Sequence, residues 1–306
     1  MQNRPQAKPF LKWAGGKTQL LAELSSRLPD DIKEKGLIKS YIEPFLGGGA
    51  FFFYLRKHYE IRDAYLLDLN RELILTYKVV QEDPDSLISY LNELEEKYRS
   101  SDKEGRRKLF YQIRTLYNKQ MKEINHNDYS LRWVERAGQL IFLNKTCYNG
   151  LFRQNKKGEF NVPHGRYKNP TICDVQNLRE VSLALQGVKL IQADFLQAKS
   201  FVQRKSFVYF DPPYRPLSAT SNFTSYAKED FDDADQLRLA NLFIDLDKAG
   251  ASLMLSNSDP KNSDEIDNFF DELYGGFSIE RVLANRNINR DGKGRGKVTE
   301  LIIRNY

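Results

Sequence analysis

The amino-acid sequence predicts an α/β protein: a doubly wound, mainly parallel sheet with an inserted, mostly helical region and a C-terminal β-hairpin. Three observations carry that expectation. Short apolar runs end repeatedly in small or acidic residues, helical stretches lie between them, and the alternation lapses between Asp68 and Val188. Strands covered on both faces read as near-continuous apolar runs. Strands alternating with helices build parallel sheets whose ligands gather at the strand carboxyl ends.

Along the chain, the expected buried strands are Ser40–Glu43, Ala64–Asp68, Val188–Asp194, Ser206–Asp211 and Ala251–Ser256. Ala50–His58 and Asp235–Lys248 read as helices between them. Inside the lapse, Glu72–Tyr98 and Glu104–Ile124 read as two long amphipathic helices, with Leu87, Leu91 and Leu94 on one face. Asn144–Lys168 is too rich in Gly, Asn and aromatics for a regular helix. At the end, Phe277–Ala284 and Lys297–Arg304 flank the polar loop Asn285–Gly296, a hairpin pattern. The division that follows is one domain from 1–70 and 174–306, interrupted by a second at 71–173.

Composition narrows the function classes. The 306 residues are 41% apolar and 29% charged, which suits a folded globular chain with ample core. No apolar run reaches the roughly 18 residues of a membrane span, and the polar N-terminus lacks a signal-peptide pattern. Cys147 and Cys173 form no C-x-x-C pair, so a reduced, cytoplasmic setting is expected. His58, His126 and His164 lie far apart in sequence, and no metal site is expected. The net charge of +6 permits a polyanionic partner. Between Arg71 and Thr171 there are 19 Lys/Arg against 13 Asp/Glu, so the basic excess sits in the insertion. Lys145–Lys168 alone holds six Lys/Arg against Glu159.

Three motifs carry chemistry. Trp13-Ala14-Gly15-Gly16-Lys17-Thr18 ends like a phosphate-binding loop, but G-x-x-x-x-G-K-[ST] needs a glycine where this chain has Leu11. Without it the backbone cannot curl around phosphate, and what remains is a turn offering a cation beside an aromatic. Glu43-Pro44-Phe45-Leu46-Gly47-Gly48-Gly49-Ala50 runs from strand through glycines into helix, the geometry of a Rossmann-like cofactor turn. Glycine there lets a ligand approach the backbone. Asp68, about 25 residues after Glu43, ends the next strand where a carboxylate can hold ribose hydroxyls. No G-x-G-x-x-G is present, so a nucleoside cofactor fits better than a dinucleotide. The third motif, Val208-Tyr209-Phe210-Asp211-Pro212-Pro213-Tyr214, sets an acid at a strand end, two prolines that fix the backbone, and a ring.

Together these blocks resemble the Dam-type DNA adenine-N6 methyltransferases (D12 class, alpha group). The match spans nearly the whole chain: Phe10-Leu11-Lys12-Trp13-Ala14-Gly15-Gly16-Lys17, the Glu-Pro-Phe glycine turn, Asp-Pro-Pro-Tyr, and Asn149-Gly150-Leu151-Phe152-Arg153 through Gly158-Glu159-Phe160-Asn161-Val162-Pro163. The resemblance implies a Rossmann-like S-adenosylmethionine-dependent core at 1–70 and 174–306 with a target-recognition domain at 71–173. It implies methyl transfer to N6 of a flipped-out adenine in double-stranded DNA, within GATC. Asp211, Pro212 and Tyr214 would be catalytic. Trp13, Lys17, Phe45, Gly47, Asp68, Asp194, Phe195 and Asp211 would line the donor's site. Lys12, Tyr148, Asn149, Leu151, Arg153 and Pro163 would meet DNA; apart from the resemblance, Lys156, Lys157 and Arg166 read as cations suited to phosphates.

The chemistry is legible beside the resemblance. The exocyclic amine of adenine is a poor nucleophile, because its lone pair is delocalised into the ring. Asp211 and the Pro212 carbonyl can each accept one of its N–H bonds and turn the lone pair outward; alignment then supplies much of the acceleration. An adenine inside a duplex cannot reach such a pocket, so it must be extruded and stacked, here on Tyr214. Arg153 suits bidentate contact with guanine. The loop Arg286–Lys297, with five Lys/Arg against Asp291, is a second candidate for phosphate contact. Glu229–Asp235 reads as a helix N-terminus rather than a metal loop, and Asn257 and Ser258 as lining the site. Two alternatives stay open: methylation of cytosine N4, and a non-catalytic DNA-binding module. Beyond DNA, the expected partner is a restriction endonuclease acting at the same site, although the sequence does not separate that role from a solitary one.

Overall fold

The structure is a computed structural model that describes residues 4–126, 128–215, 231–285 and 297–306. Among these residues seven strands form one sheet in the order β3-β2-β1-β4-β5-β7-β6. They are β1 (Leu37–Glu43), β2 (Glu60–Asp68), β3 (Lys189–Gln192), β4 (Phe207–Phe210), β5 (Ser252–Ser258), β6 (Ser278–Asn285) and β7 (Lys297–Arg304). The first five are parallel to their neighbours, while β7 runs antiparallel between β5 and β6. β1 pairs with β2 on one side and β4 on the other, so the chain winds away in both directions from the β1/β4 crevice.

Helices cover both faces. On one lie α1 (Leu21–Ser26), α2 (Asp30–Lys35), α3 (Ala50–His58), α4 (Arg71–Glu82) and α8 (Val175–Leu185); on the other lie α9 (Asp233–Lys248) and α10 (Phe269–Leu273). Between α4 and α8 the chain forms α5 (Pro84–Ser100), α6 (Lys103–Gln120) and α7 (Leu131–Thr146). α4 packs on β2 and β3 and also on α7, so one apolar core runs from the sheet into the helical insertion.

The α/β architecture, the five parallel strands and the terminal antiparallel pair agree with the sequence reading. Four details differ. The helix expected over Glu72–Tyr98 is two, broken where Pro84 has no N–H to continue the ladder; the Asp83 side chain caps the second by accepting from Ser86 N–H at 3.2 Å. The next helix stops at Gln120, short of Ile124. The third strand ends at Gln192, and Asp194 instead caps a 3-10 turn at Phe195–Ser200. Helix α7, over a stretch to which the sequence reading gave no element, is wrapped by α4, α5 and α6 and buried on nearly every side; it also takes Asn144, Lys145 and Thr146 from the segment expected to be irregular. Helix α9 starts at Asp233 with Asp232 accepting from Asp235 N–H, as expected of the acidic run. The basic loop at 286–296 lies outside the described residues.

Candidate active site

At the mouth of the β1/β4 crevice, Glu43 ends β1, Asp68 ends β2 and Asp211 follows β4. Gly47 and Gly49 have φ of 48° and 66°, left-handed values that glycine adopts without strain. A Cβ on Gly47 would lie 2.9 Å from Trp13 Cδ1, so the indole rests directly on the turn. The Asp68 carboxylate closes the turn from the other side. Its Oδ2 accepts from Gly47 N–H at 3.0 Å and its Oδ1 from Asn70 N–H at 2.8 Å. Burial pushes this carboxyl up to about 6 even against those two donors. Each oxygen keeps a second lone pair for a ligand hydroxyl. Glu43 is 2% exposed and accepts from the Tyr41 hydroxyl at 2.8 Å; burial holds its carboxyl well above the usual range.

Asp211 is the junction of the site. The Lys17 ammonium, only 5% exposed, lies 2.5 Å from Asp211 Oδ1 and donates to the Gly15 carbonyl at 2.9 Å. Ser256 Oγ, on β5, donates to the same Asp211 oxygen at 3.3 Å and shares a 2.8 Å hydrogen bond with the Tyr209 hydroxyl behind it. Burial raises the Asp211 carboxyl above its ordinary value, and the Lys17 charge offsets only part of that. Lys17 also lies 4.4 Å from the centre of the Tyr214 ring, whose hydroxyl donates to Glu300 Oε2 at 2.6 Å. Pro212 is buried between Asp211 and Tyr214 in sequence. Asn257 is fully buried; its side-chain oxygen accepts from Ser258 N–H, while its amide nitrogen has no partner among the described residues.

The remaining expected donor-site residues form a neighbouring aromatic wall. Phe45 stacks on Phe195 with centroids 5.3 Å apart, and Phe231 meets both edge-on or tilted at 5.7 Å. Asp194 is turned to Arg238, 3.2 Å away, and the Arg238 guanidinium lies 5.0 Å over the Phe195 ring.

The expected DNA-facing residues are tied to this site through the N-terminal segment. Buried Asn144 accepts from Lys12 N–H and donates to the Lys12 and Gly150 carbonyls, at 2.8, 2.8 and 2.9 Å. Trp13 stacks on Phe152 at 5.2 Å. Tyr148 and Asn149 stand exposed, with Asn149 at φ 56° and its N–H donating to the Tyr167 hydroxyl. Tyr148 N–H donates to the Pro163 carbonyl at 2.8 Å. Arg153 Nε donates to Asn161 Oδ1 at 2.8 Å. Leu151 is half-buried against the core. Sequence reasoning assigned no role to Asn144, Ser256 or Glu300. Asn144 alone left a signal, as an amide directly after the apolar run at 140–143. Cys147 and Cys173 are buried thiols that burial pushes up to about 12 and about 11, which removes them as nucleophiles. No described helix is long and apolar enough to cross a membrane.

Comparison with known proteins bears on this geometry. Residues 13–288 match the family of D12 class N6 adenine-specific DNA methyltransferases. The chain is 53% identical to the type II methyltransferase M.MjaIII of Methanocaldococcus jannaschii, over 98% of this chain and all of that protein. It is 38% identical to the type II methyltransferase M1.LlaDCHI of Lactococcus lactis subsp. cremoris, over 100% and 98%. A DNA adenine methylase of Vibrio cholerae is 35% identical over 96% and 95%.

Proposed function

The chain belongs to the D12 class of N6 adenine-specific DNA methyltransferases, and on that premise we propose that it moves a methyl group from S-adenosylmethionine to an adenine flipped out of double-stranded DNA, within GATC. Family membership decides for adenine N6 over cytosine N4, and for an enzyme over a binding module. The observation that carries the finer reading is the convergence of Asp211, Lys17, Ser256 and Tyr214 beside the glycine turn and Asp68.

The residues present fit such a donor. A turn without side chains faces an indole, Asp68 keeps free lone pairs for ribose hydroxyls, and the buried Asn257 amide is a donor awaiting an acceptor. Phe45, Asp194 and Phe195 would flank the donor's base, and Gly47 its backbone approach. When bound, the donor supplies an electrophilic methyl on a sulfonium. Lys17 has three N–H bonds: one serves Gly15, one Asp211, and the third remains to meet the donor's carboxylate. The Asp211 carboxylate accepts one N6 hydrogen and the Pro212 carbonyl the other, which frees the nitrogen lone pair for in-line attack. The Tyr214 ring receives the extruded base.

Residues 71–173 serve as the target-recognition domain on the catalytic core of 1–70 and 174–306. Arg153 reads a guanine, Lys12 the first guanine, and Tyr148, Asn149, Leu151 and Pro163 lie along the bases. The names of the two type II relatives support a partner endonuclease at the same site, and DNA as substrate supports a cytoplasmic setting. Duplex oligonucleotides incubated with labelled S-adenosylmethionine and digested to nucleosides test the reading. Label in N6-methyladenine from GATC duplexes is expected. Equal labelling of duplexes with an altered GATC, or no label from this donor, rejects it.

A further inference from the structure

The C-terminal β-hairpin has no part in the chemistry described so far, yet its inner strand reaches the site. Because β7 runs against β5, the start of β7 lies at the carboxyl end of the parallel strands, where the site is. The register pairs Glu300 with Ser258 at the end of β5 and with Val282 on β6, so Glu300 is held from both sides. Its neighbour Thr299 is clamped as well. Thr299 N–H donates to Asn262 Oδ1 at 3.0 Å, its carbonyl accepts from Asn262 Nδ2 at 2.7 Å, and its hydroxyl donates to Asp259 at 2.7 Å.

From this rigid base the Glu300 carboxylate accepts from the Tyr214 hydroxyl at 2.6 Å, across 86 residues of sequence. That length belongs to the short, charge-assisted class of O–H···O⁻ bonds. The prolines before Tyr214 fix its backbone but leave its side-chain torsions free, and a ring that must be ready for a base needs those torsions set in advance. We propose that Glu300 is a positioning residue for adenine methylation: it holds the Tyr214 ring in the orientation that receives the target base. The inference rests on the reading of Tyr214 as the stacking ring.

A mutant cycle tests it, with duplexes carrying 2-aminopurine at the target adenine to report stacking and unmodified duplexes to report turnover. Y214F keeps the ring and removes the tether; E300A removes the acceptor; E300Q keeps a neutral acceptor; Y214A removes the ring. The expected result is that Y214F and E300A each lower kcat about tenfold, and the double variant falls no further. E300Q recovers part of the loss. The extruded 2-aminopurine should be brighter in E300A than in wild type and brightest in Y214A, as the quenching stack is lost. If Y214A brightens the base while Y214F and E300A match wild type, the stacking stands and the role of Glu300 is overturned. Additive losses in the double variant overturn it too, because the two groups then act separately. If Y214A itself leaves the emission unchanged, the stacking reading fails and the inference with it. Should E300A not fold, the comparison of Y214F with E300Q still decides.

Discussion

Asp211 sits under opposing influences: burial favours its protonated form, and the Lys17 ammonium 2.5 Å away favours the carboxylate. A carboxylate offers more acceptor sites than its protonated form, so under the proposed role the Lys17 charge would serve to keep Asp211 ionised. Asp211→Ala should abolish turnover while leaving the fold and DNA binding intact, measured by methylation assay, circular dichroism and DNA titration; turnover within tenfold of wild type would remove Asp211 from the mechanism. Asp68 yields a pH prediction. Its carboxyl is pushed up to about 6, so the carboxylate that would accept ribose hydroxyls is present above that pH and lost below it. Calorimetry should therefore show donor affinity level above pH 7 and weakening as pH falls through 6, with Asp68→Asn weaker but flat over the same range. A wild-type affinity unchanged down to pH 5 refutes the ribose assignment. The stability sign is the reverse. A carboxyl raised in the folded state is disfavoured while ionised, so this group's contribution improves as pH falls from about 6 toward its ordinary 3.8.

Elements depend on a few buried polar residues that join distant segments. Helix α7 carries Arg136, which is fully buried; its Nε and Nη2 donate to the two oxygens of Glu72 on α4 at 2.8 and 3.0 Å, and its guanidinium lies 3.7 Å over the Tyr117 ring of α6. Burial pushes Glu72 up, but hydrogen bonds from His126 and Arg136 outweigh it and hold the carboxyl down at about 2. Arg136→Ala would leave the buried Glu72 with His126 alone and should cost about 3–5 kcal/mol in chemical denaturation. A loss below about 1 kcal/mol would show that the pair contributes nothing specific. Because Glu72 is depressed in the folded state, its stabilisation is complete above its ordinary 4.5 and is lost as pH falls toward 2. The segment that follows α7 is joined in the same manner. Asn144 staples Lys12 to Gly150, and Asn161 holds Nε of Arg153. The irregular segment after α7 is thereby fixed to the N-terminal turn whose Trp13 lies against Gly47.

Across the whole molecule, the basic excess lies between residues 71 and 171 while Glu43, Asp68 and Asp211 lie at the sheet's carboxyl edge, a division of charge that suits the proposed DNA substrate and nucleoside donor. Arg153→Ala should cost roughly 1–3 kcal/mol and relax choice at one base pair, whereas Lys156→Ala should weaken every sequence alike and lower the salt dependence of binding. Rates on GATC duplexes and on duplexes with one altered pair, at fixed salt, separate the two; a uniform loss for Arg153→Ala makes it a phosphate contact. The α/β class, the strand positions, the glycine turn, Asp68 and the Asp-Pro-Pro-Tyr block were all legible in the sequence. Each is a local pattern: apolar runs, turn residues and an acid at a strand end depend on neighbours a few residues away. The break at Asp83–Pro84 was local too, but the amphipathic period runs straight through it and concealed it. Helix α7 was missed because polar residues inside it, Arg136 and Asn144, are buried against partners distant in sequence, which no local pattern reports. Lys17 against Asp211, Ser256 behind it and Glu300 under Tyr214 were decided only by the tertiary structure. Those contacts span 194, 45 and 86 residues; the last two exist because β4 and β5 run parallel with β7 reversed beside them, which brings three strand ends to one edge of the sheet, and the first because the N-terminal turn before α1 reaches that edge.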